Sequence, residues 1–272
     1  MYKTNAEKLL RKCRACMAML ILFSLPSLIS AQNFWPGGKK AAIVLTYDDG
    51  LNSQLNYVIP QLNAAGFKGT FFLYGYLAEE KFADWKKVSD QGHEIGNHSL
   101  YHPCKGKSPE SPRFSSESYD VPSIIREIAM MSKLIFAITG KNPVSYAYPC
   151  GETEVGGVDY SDSLRNSGLV KFARNGYAPE GITDFRNTDF FKVPAFAPAP
   201  GSGSQVLTGY VEKVLEKGAL GILLFHGVGG DYLSVGAEEH LELIDFLAVH
   251  KDEIWVTTFS EAMEYIQKNT KE

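Results

Sequence analysis

The sequence is short of cysteine: it has four in 272 residues, too few for a disulfide-framework protein. Two of them, Cys13 and Cys16, fall in an N-terminal leader, which leaves Cys104 and Cys150 for the rest of the chain. Charge of one sign is also lacking, with 27 Lys and Arg against 31 Asp and Glu and a net charge of −4. No basic footprint exists, so nothing favours nucleic acid as a partner. Beyond the leader, no apolar run approaches the ~20 residues that cross a bilayer, and no transmembrane segment is expected after leader removal. Internal repeats, low-complexity tracts and interdomain linkers are missing too. With 44% hydrophobic and 21% charged residues, the composition is that of an ordinary globular chain, and a single domain over 32–272 is expected.

The leader has a recognisable build. Arg11, Lys12 and Arg14 precede an apolar run from Met17 to Ile29, which ends at Ser30-Ala31-Gln32. A basic segment, a short apolar segment and a small residue at the cut describe a secretory signal peptide, residues 1–31. The run holds Ser24, Pro26 and Ser27, which suits a spanning helix poorly; an uncut N-terminal anchor is the alternative. The expectation is an exported protein, periplasmic or secreted. Outside the cytosol Cys104 and Cys150 can bridge if the fold brings them together, and sequence leaves that open.

After the leader, β-rich apolar runs alternate with helical patterns. Strands are expected at 41–47, 70–74, 93–97, 144–148, 169–173, 219–225 and 254–257. Amphipathic stretches lie between them at 53–65, 79–91, 123–139, 159–167, 205–217 and 238–250, and a last helix over 261–268 has Ser260 as its expected N-cap. Strand–helix alternation at this spacing implies right-handed crossovers and a parallel sheet, and seven strands suggest a closed or nearly closed barrel. Two stretches, 103–121 and 177–204, read as long irregular loops near the expected site.

The chemistry-bearing residues fall where such a barrel places a site. Asp48-Asp49, His98, Tyr148-Pro149 and His226 each come just after an expected strand, and the C-terminal strand ends form the active face of α/β barrels. His98 and His102 stand four apart, so one helical turn would aim both rings the same way. Two histidines and an aspartate make a three-ligand set for a catalytic divalent ion, usually zinc. The second aspartate is then free to take a proton from water. Metal-assisted hydrolysis is the chemistry these residues imply. His93 reads as structural, and His240 and His250 read as part of a solvated helical face. Trp35, Trp85 and the tyrosines can stack on sugar rings, though core packing is their commoner use.

Thr46–Gly50, Gly92–Pro103, Tyr148-Pro149-Cys150-Gly151 and Leu223-Leu224-Phe225-His226 resemble, in order, the motifs of the polysaccharide deacetylases, the NodB-like enzymes of carbohydrate esterase family 4. The resemblance runs from about Ala41 to the C-terminus. It implies a distorted (β/α)7 barrel, single domain, that hydrolyses acetyl groups from sugars. By the resemblance Asp48 matches the catalytic base and His226 the general acid, while Asp49, His98 and His102 match the metal ligands. Leu224 matches the position that packs on the acetate methyl, and the Cys150 N–H the donor to the oxyanion, with Tyr148 and Pro149 beside it. The metal implied is most often Zn²⁺, with Co²⁺, Ni²⁺ and Mn²⁺ as alternatives.

The chain also departs from the family pattern. Ala147 stands where many members carry an arginine bonded to the catalytic aspartate, and Gly227 replaces the aspartate that often follows the acid histidine. The Asp-Trp fourth motif is not recognisable. Arg174, at the end of another expected strand, is a candidate to reach Asp48 in place of the missing arginine; a groove-lining role is its alternative. The expectation is an exported, metal-dependent deacetylase acting on an acetylated carbohydrate, with N-acetyl favoured. An O-acetyl glycan esterase resembling acetylxylan esterases, or a catalytically silent carbohydrate-binding barrel, are the alternatives.

Overall fold

A computed structural model describes residues 34–106 and 115–270. The signal peptide expected over 1–31 lies outside the described residues. Eight parallel strands form the main sheet: β1 (Ala41–Asp48), β2 (Thr70–Leu73), β3 (Glu94–Asn97), β4 (Ser145–Ala147), β7 (Phe172–Tyr177), β8 (Val193–Ala195), β9 (Leu220–Phe225) and β10 (Ile254–Thr257). A small antiparallel hairpin, β5 (Glu154–Val155) with β6 (Val158–Asp159), sits outside it. Neighbours run β2-β3-β4-β7-β8. One edge of β1 is shared between β10, opposite Ala41 to Val44, and β2, opposite Thr46 to Asp48. The other edge of β1 pairs with β9 over Ala42 to Tyr47. A single bridge, Phe196 to Leu223, connects the end of β8 to β9. The sheet therefore curls into a nearly closed barrel with helices around it, including Val121–Thr139, Ser204–Lys217 and Ala237–Val249.

Strand parity decides which side chains enter the barrel, because successive residues of a strand point to opposite faces. Along β1, Ala41, Ile43, Leu45 and Tyr47 join the large cluster beneath the helices. Ala42 and Val44 belong to a second cluster with Phe72, Ala147, Phe172, Leu220 and Ile222, which fills the interior. Continuing the even positions brings Thr46 and Asp48 onto the interior face at the C-terminal end. The same parity carries Arg174 after Phe172 on β7 and Leu224 after Ile222 on β9.

Several expectations are corrected. β8 occupies part of the stretch expected to be an irregular loop; with Pro194 at its centre and only three residues, it lacks the periodicity that marks a strand. The strand expected at 169–173 starts later, at Phe172, and runs on to Tyr177. The helix expected over 53–65 opens as a π-helical turn, Gln54–Val58, before Ile59–Ala65. The last helix begins at Phe259 rather than after Ser260. Thr258 caps it: its Oγ1 accepts from the Glu261 N–H, and Glu261 Oε2 accepts from the Thr258 N–H, both at 3.4 Å, the reciprocal pattern of a capping box. His240 is not on a solvated face. It is fully buried and its Nε2 meets the Tyr47 hydroxyl at 2.8 Å, while burial holds the imidazole down at about 3. His93 is structural, accepting from the Gly69 N–H at 3.1 Å, and Trp35 and Trp85 pack in the core. Among the described residues no helix is long and apolar enough to cross a membrane.

Candidate active site

Asp48 is the last residue of β1, and Asp49 turns off the strand in a left-handed conformation (φ 77°) with its N–H on the Phe72 carbonyl. This reversal aims both carboxylates into one cavity of about 570 Å³, lined also by Tyr74, His98, His102, Tyr148, Cys150, Arg174, Leu224, His226 and Tyr232. The sequence-derived site residues thus meet at the mouth of the barrel, with one exception. Pro149 is buried and does not line the cavity.

His98 follows β3, but no helical turn carries His102. Ser99 (φ 64°) and His102 (φ 52°) are both left-handed, and a tight loop reverses between them. The Asn97 side chain accepts from the Ser99 N–H at 2.8 Å, and Ser99 Oγ from the His102 N–H at 2.9 Å. From the long helix Val121–Thr139, buried Glu127 braces the loop by accepting from the Leu100 and Tyr101 N–H groups. The spacing of four is real, yet the geometry that makes it useful is a loop rather than a helix face. All six left-handed non-glycine residues among those described, Asp49, Ser99, His102, Cys150, Asp231 and Leu233, belong to the mouth loops. Backbone of this kind concentrates at functional sites because the surroundings must over-determine it.

The donor set suits a divalent ion. Asp49 Oδ1 lies 3.6 Å from both His98 Nε2 and His102 Nε2, and the two imidazole nitrogens are 3.1 Å apart. Ligands ~2.0–2.2 Å from a tetrahedral centre are spaced ~3.3–3.6 Å from one another. The ring orientation agrees: His98 Nδ1 donates to the Ala147 carbonyl at 2.8 Å, which turns Nε2 toward Asp49. An outer hydrogen bond of this kind orients a metal-ligating histidine. His226 Nε2 stands on the far side of the carboxylate, 3.8 Å from Asp49 Oδ2.

Arg174 reaches Asp48. Its Nη2 donates to both carboxylate oxygens at 2.6 Å, and both side chains are buried. The register explains how. Arg174 pairs directly with Ala147 across β4 and β7, so the guanidinium enters the barrel one strand over from the family's usual position, and the alanine leaves it room. Burial alone would push the Asp48 carboxyl up, but Arg174, His98 and His226 outweigh it and hold Asp48 below its ordinary value.

Cys104 and Cys150 form a disulfide, with Cα atoms 5.9 Å apart. It joins the histidine loop to the turn Pro149–Gly151, where Cys150 is left-handed (φ 54°). The Cys104 sulfur lies 3.5 Å from His102 Nδ1.

Tyr232 is the residue that sequence reasoning missed. Its hydroxyl donates to Asp49 Oδ2 at 2.6 Å, and burial together with the Asp49 charge pushes the phenol well above its ordinary value. It sits in an unpatterned loop, and its only sequence signal is Gly227, which stands just after His226.

Comparisons with known proteins agree with this geometry. The profile of the family described as polysaccharide deacetylase matches residues 36–167. The peptidoglycan-N-acetylmuramic acid deacetylase PdaA of Bacillus subtilis is 31% identical over 112 residues, 41% of this chain and 38% of that protein. A peptidoglycan-N-acetylglucosamine deacetylase of Bacillus cereus is 38% identical over 72 residues, 26% of each chain. The alignments thus span well under two thirds of these relatives. Among solved structures, a putative polysaccharide deacetylase from Mycobacterium smegmatis superposes with a TM-score of 0.64 at 17% identity, over 86% of this chain and 92% of that one. The peptidoglycan deacetylase PdaC of Bacillus subtilis gives 0.53 at 20% identity, over 84% and 92%. These superpositions establish a shared fold. Residues 36–167 thus match the polysaccharide deacetylase family, and the motifs and the barrel agree with that match.

Proposed function

We propose that this protein is an exported, metal-dependent deacetylase that hydrolyses acetyl groups, N-acetyl in preference, from peptidoglycan or a related glycan. The observation that carries the reading is the pairing, in one cavity, of the Asp49–His98–His102 set with a second buried carboxylate, Asp48, held by Arg174. The relatives named as peptidoglycan deacetylases favour the substrate class, and the basic-apolar-small pattern of residues 1–31 favours export.

A divalent ion held by Asp49, His98 and His102, Zn²⁺ in the first instance, would supply Lewis acidity to the acetyl carbonyl and to the attacking water. The chain does the rest. Asp48, ionised and oriented by Arg174, accepts the proton of that water as it attacks. The Cys150 N–H, at the cavity wall, would donate to the oxyanion, and one such donor is worth ~3–4 kcal/mol. Leu224 presents an apolar surface to the acetyl methyl. His226 in its protonated form hands a proton to the departing amine, so that acetate and a free amino sugar leave.

Acetate release from N- and O-acetylated glycans, with and without a chelator, tests the reading. Release from N-acetylated peptidoglycan fragments that stops with chelation and returns with added metal is expected. Asp48→Asn should lose at least ~10²-fold in rate while still binding metal, and His98→Ala should lose metal and activity together. Turnover of O-acetyl esters alone would make it an esterase, since the same residues can attack either bond. Metal binding without any turnover would mark a silent binding barrel.

A further inference from the structure

The loop that follows β9 is built to deliver one hydroxyl. At Gly227 an added Cβ would stand 2.2 Å from the Gly230 carbonyl oxygen and 2.8 Å from that of Tyr232, so only glycine lets the backbone fold back after His226. The fold-back is secured on both sides: the Gly227 N–H donates to the Tyr232 carbonyl and the Val235 N–H to the Gly227 carbonyl, both at 3.1 Å, and Asp231 Oδ2 accepts from the Ser53 N–H at 2.7 Å. Asp231 (φ 59°) and Leu233 (φ 49°) flank Tyr232 in left-handed conformations, a strained arrangement for two L-residues in a loop of this length. Its product is a single directed contact on Asp49.

That contact divides the carboxylate. Tyr232 donates to Oδ2 at 2.6 Å, while Oδ1 faces the His98 and His102 nitrogens at 3.6 Å. A carboxylate otherwise turns easily about its last torsion and can offer one oxygen or two. We propose that Tyr232 is a positioning residue for the metal site: its hydroxyl occupies Oδ2 and so presents Oδ1 alone beside the two imidazoles. Three single-atom donors then leave the remaining positions open to water and substrate. The inference rests on the reading of Asp49, His98 and His102 as metal ligands, and it assigns Tyr232 no contact with the reacting atoms.

Titration of the metal-free full-length protein with Zn²⁺ and with Co²⁺, followed by calorimetry and by the visible spectrum of the Co²⁺ form, tests it in wild type and Tyr232→Phe. Phenylalanine keeps the ring and removes only the hydroxyl. The variant should bind Zn²⁺ ~10–100-fold more weakly, its Co²⁺ bands should change as the second oxygen becomes free to coordinate, and its metal-free melting temperature should stay put. Tight wild-type binding with equal affinity and superimposable Co²⁺ spectra in the variant would overturn this inference alone. A weaker affinity that merely tracks a lower metal-free melting temperature, with the Co²⁺ spectrum unchanged, would assign the hydroxyl to loop stability and overturn it too. Wild-type protein that binds neither ion would overturn the metal reading beneath it.

Discussion

Asp48 and Asp49 are neighbours in sequence with the same side chain, and their surroundings give them different partners, which suit the different roles proposed for them. Asp48 ends a strand on the barrel's interior face and meets Arg174. Asp49, one residue on, turns left-handed and meets the imidazoles and Tyr232. The Arg174 contact leads to a prediction at this scale. Arg174→Ala should lower kcat by ~10²-fold or more, because a base that loses its orienting partner spends less time aligned, while metal affinity stays nearly unchanged. The pH profile should move as well. Asp48 must be ionised to accept a proton, so activity falls as pH drops through its pKa, which Arg174 now helps hold below the ordinary carboxylate value. Without the guanidinium, burial is less opposed and the acidic limb should shift upward. Kinetics on both proteins at saturating metal would show it. An unmoved limb would mean that another group sets the acid side.

The elements matter most where two loops have to hold a common geometry. The loop after β3 carries both histidines and is braced by Glu127 from the long helix, and the turn after β4 carries Cys150. The disulfide between Cys104 and Cys150 joins them across 46 residues of sequence. By loop-closure entropy such a bridge is worth ~4 kcal/mol. Replacing both cysteines by alanine should therefore lower the denaturant midpoint and weaken metal binding, since His102 is two residues from one end of the bridge. Chemical denaturation and metal titration of the double variant, against wild type, measure both. Retention of full metal affinity after loss of the bridge would show that Glu127 and the Ser99 turn suffice to hold the histidines.

For the molecule as a whole, one nearly closed barrel carries every site residue on its rim, so metal binding and global stability are linked. A ligand that binds only the folded state stabilises it by ~2.7 kcal/mol at a concentration one hundred times its Kd. For a domain of this size each kcal/mol raises Tm by ~2–4 °C. Saturating Zn²⁺ should raise the calorimetric transition by ~5–10 °C, and His102→Ala should abolish the rise. A single transition is expected, because the described residues form one compact unit.

Much of this protein could be read from its sequence, for identifiable reasons. Buried parallel strands need unbroken apolar runs, and 41–47 and 219–225 carry them. The residue types that hold a metal and move a proton are few, so Asp48-Asp49, His98 and His226, each just past an expected strand, with His102 four residues beyond His98, already marked the candidate site. Local patterns could not declare what depends on distant segments. β8 is too short and too interrupted by Pro194 to show a period, and becomes a strand only because β7 offers an edge. His240 looks solvated among its charged neighbours until Tyr47 from β1 covers it. The four-residue spacing of His98 and His102 suggested a helix, whereas Asn97, Ser99 and Glu127 built a loop. Ala147 marked a missing arginine, and sequence could nominate Arg174 from its place at a strand end; only the register of β4 against β7 decided that it pairs with Ala147 and reaches Asp48. Tyr232 shows the limit most clearly. Its hydrogen bond to Asp49 spans 183 residues, and Gly227 in the loop's own sequence marks the fold-back but not the contact, which exists only once the barrel has closed.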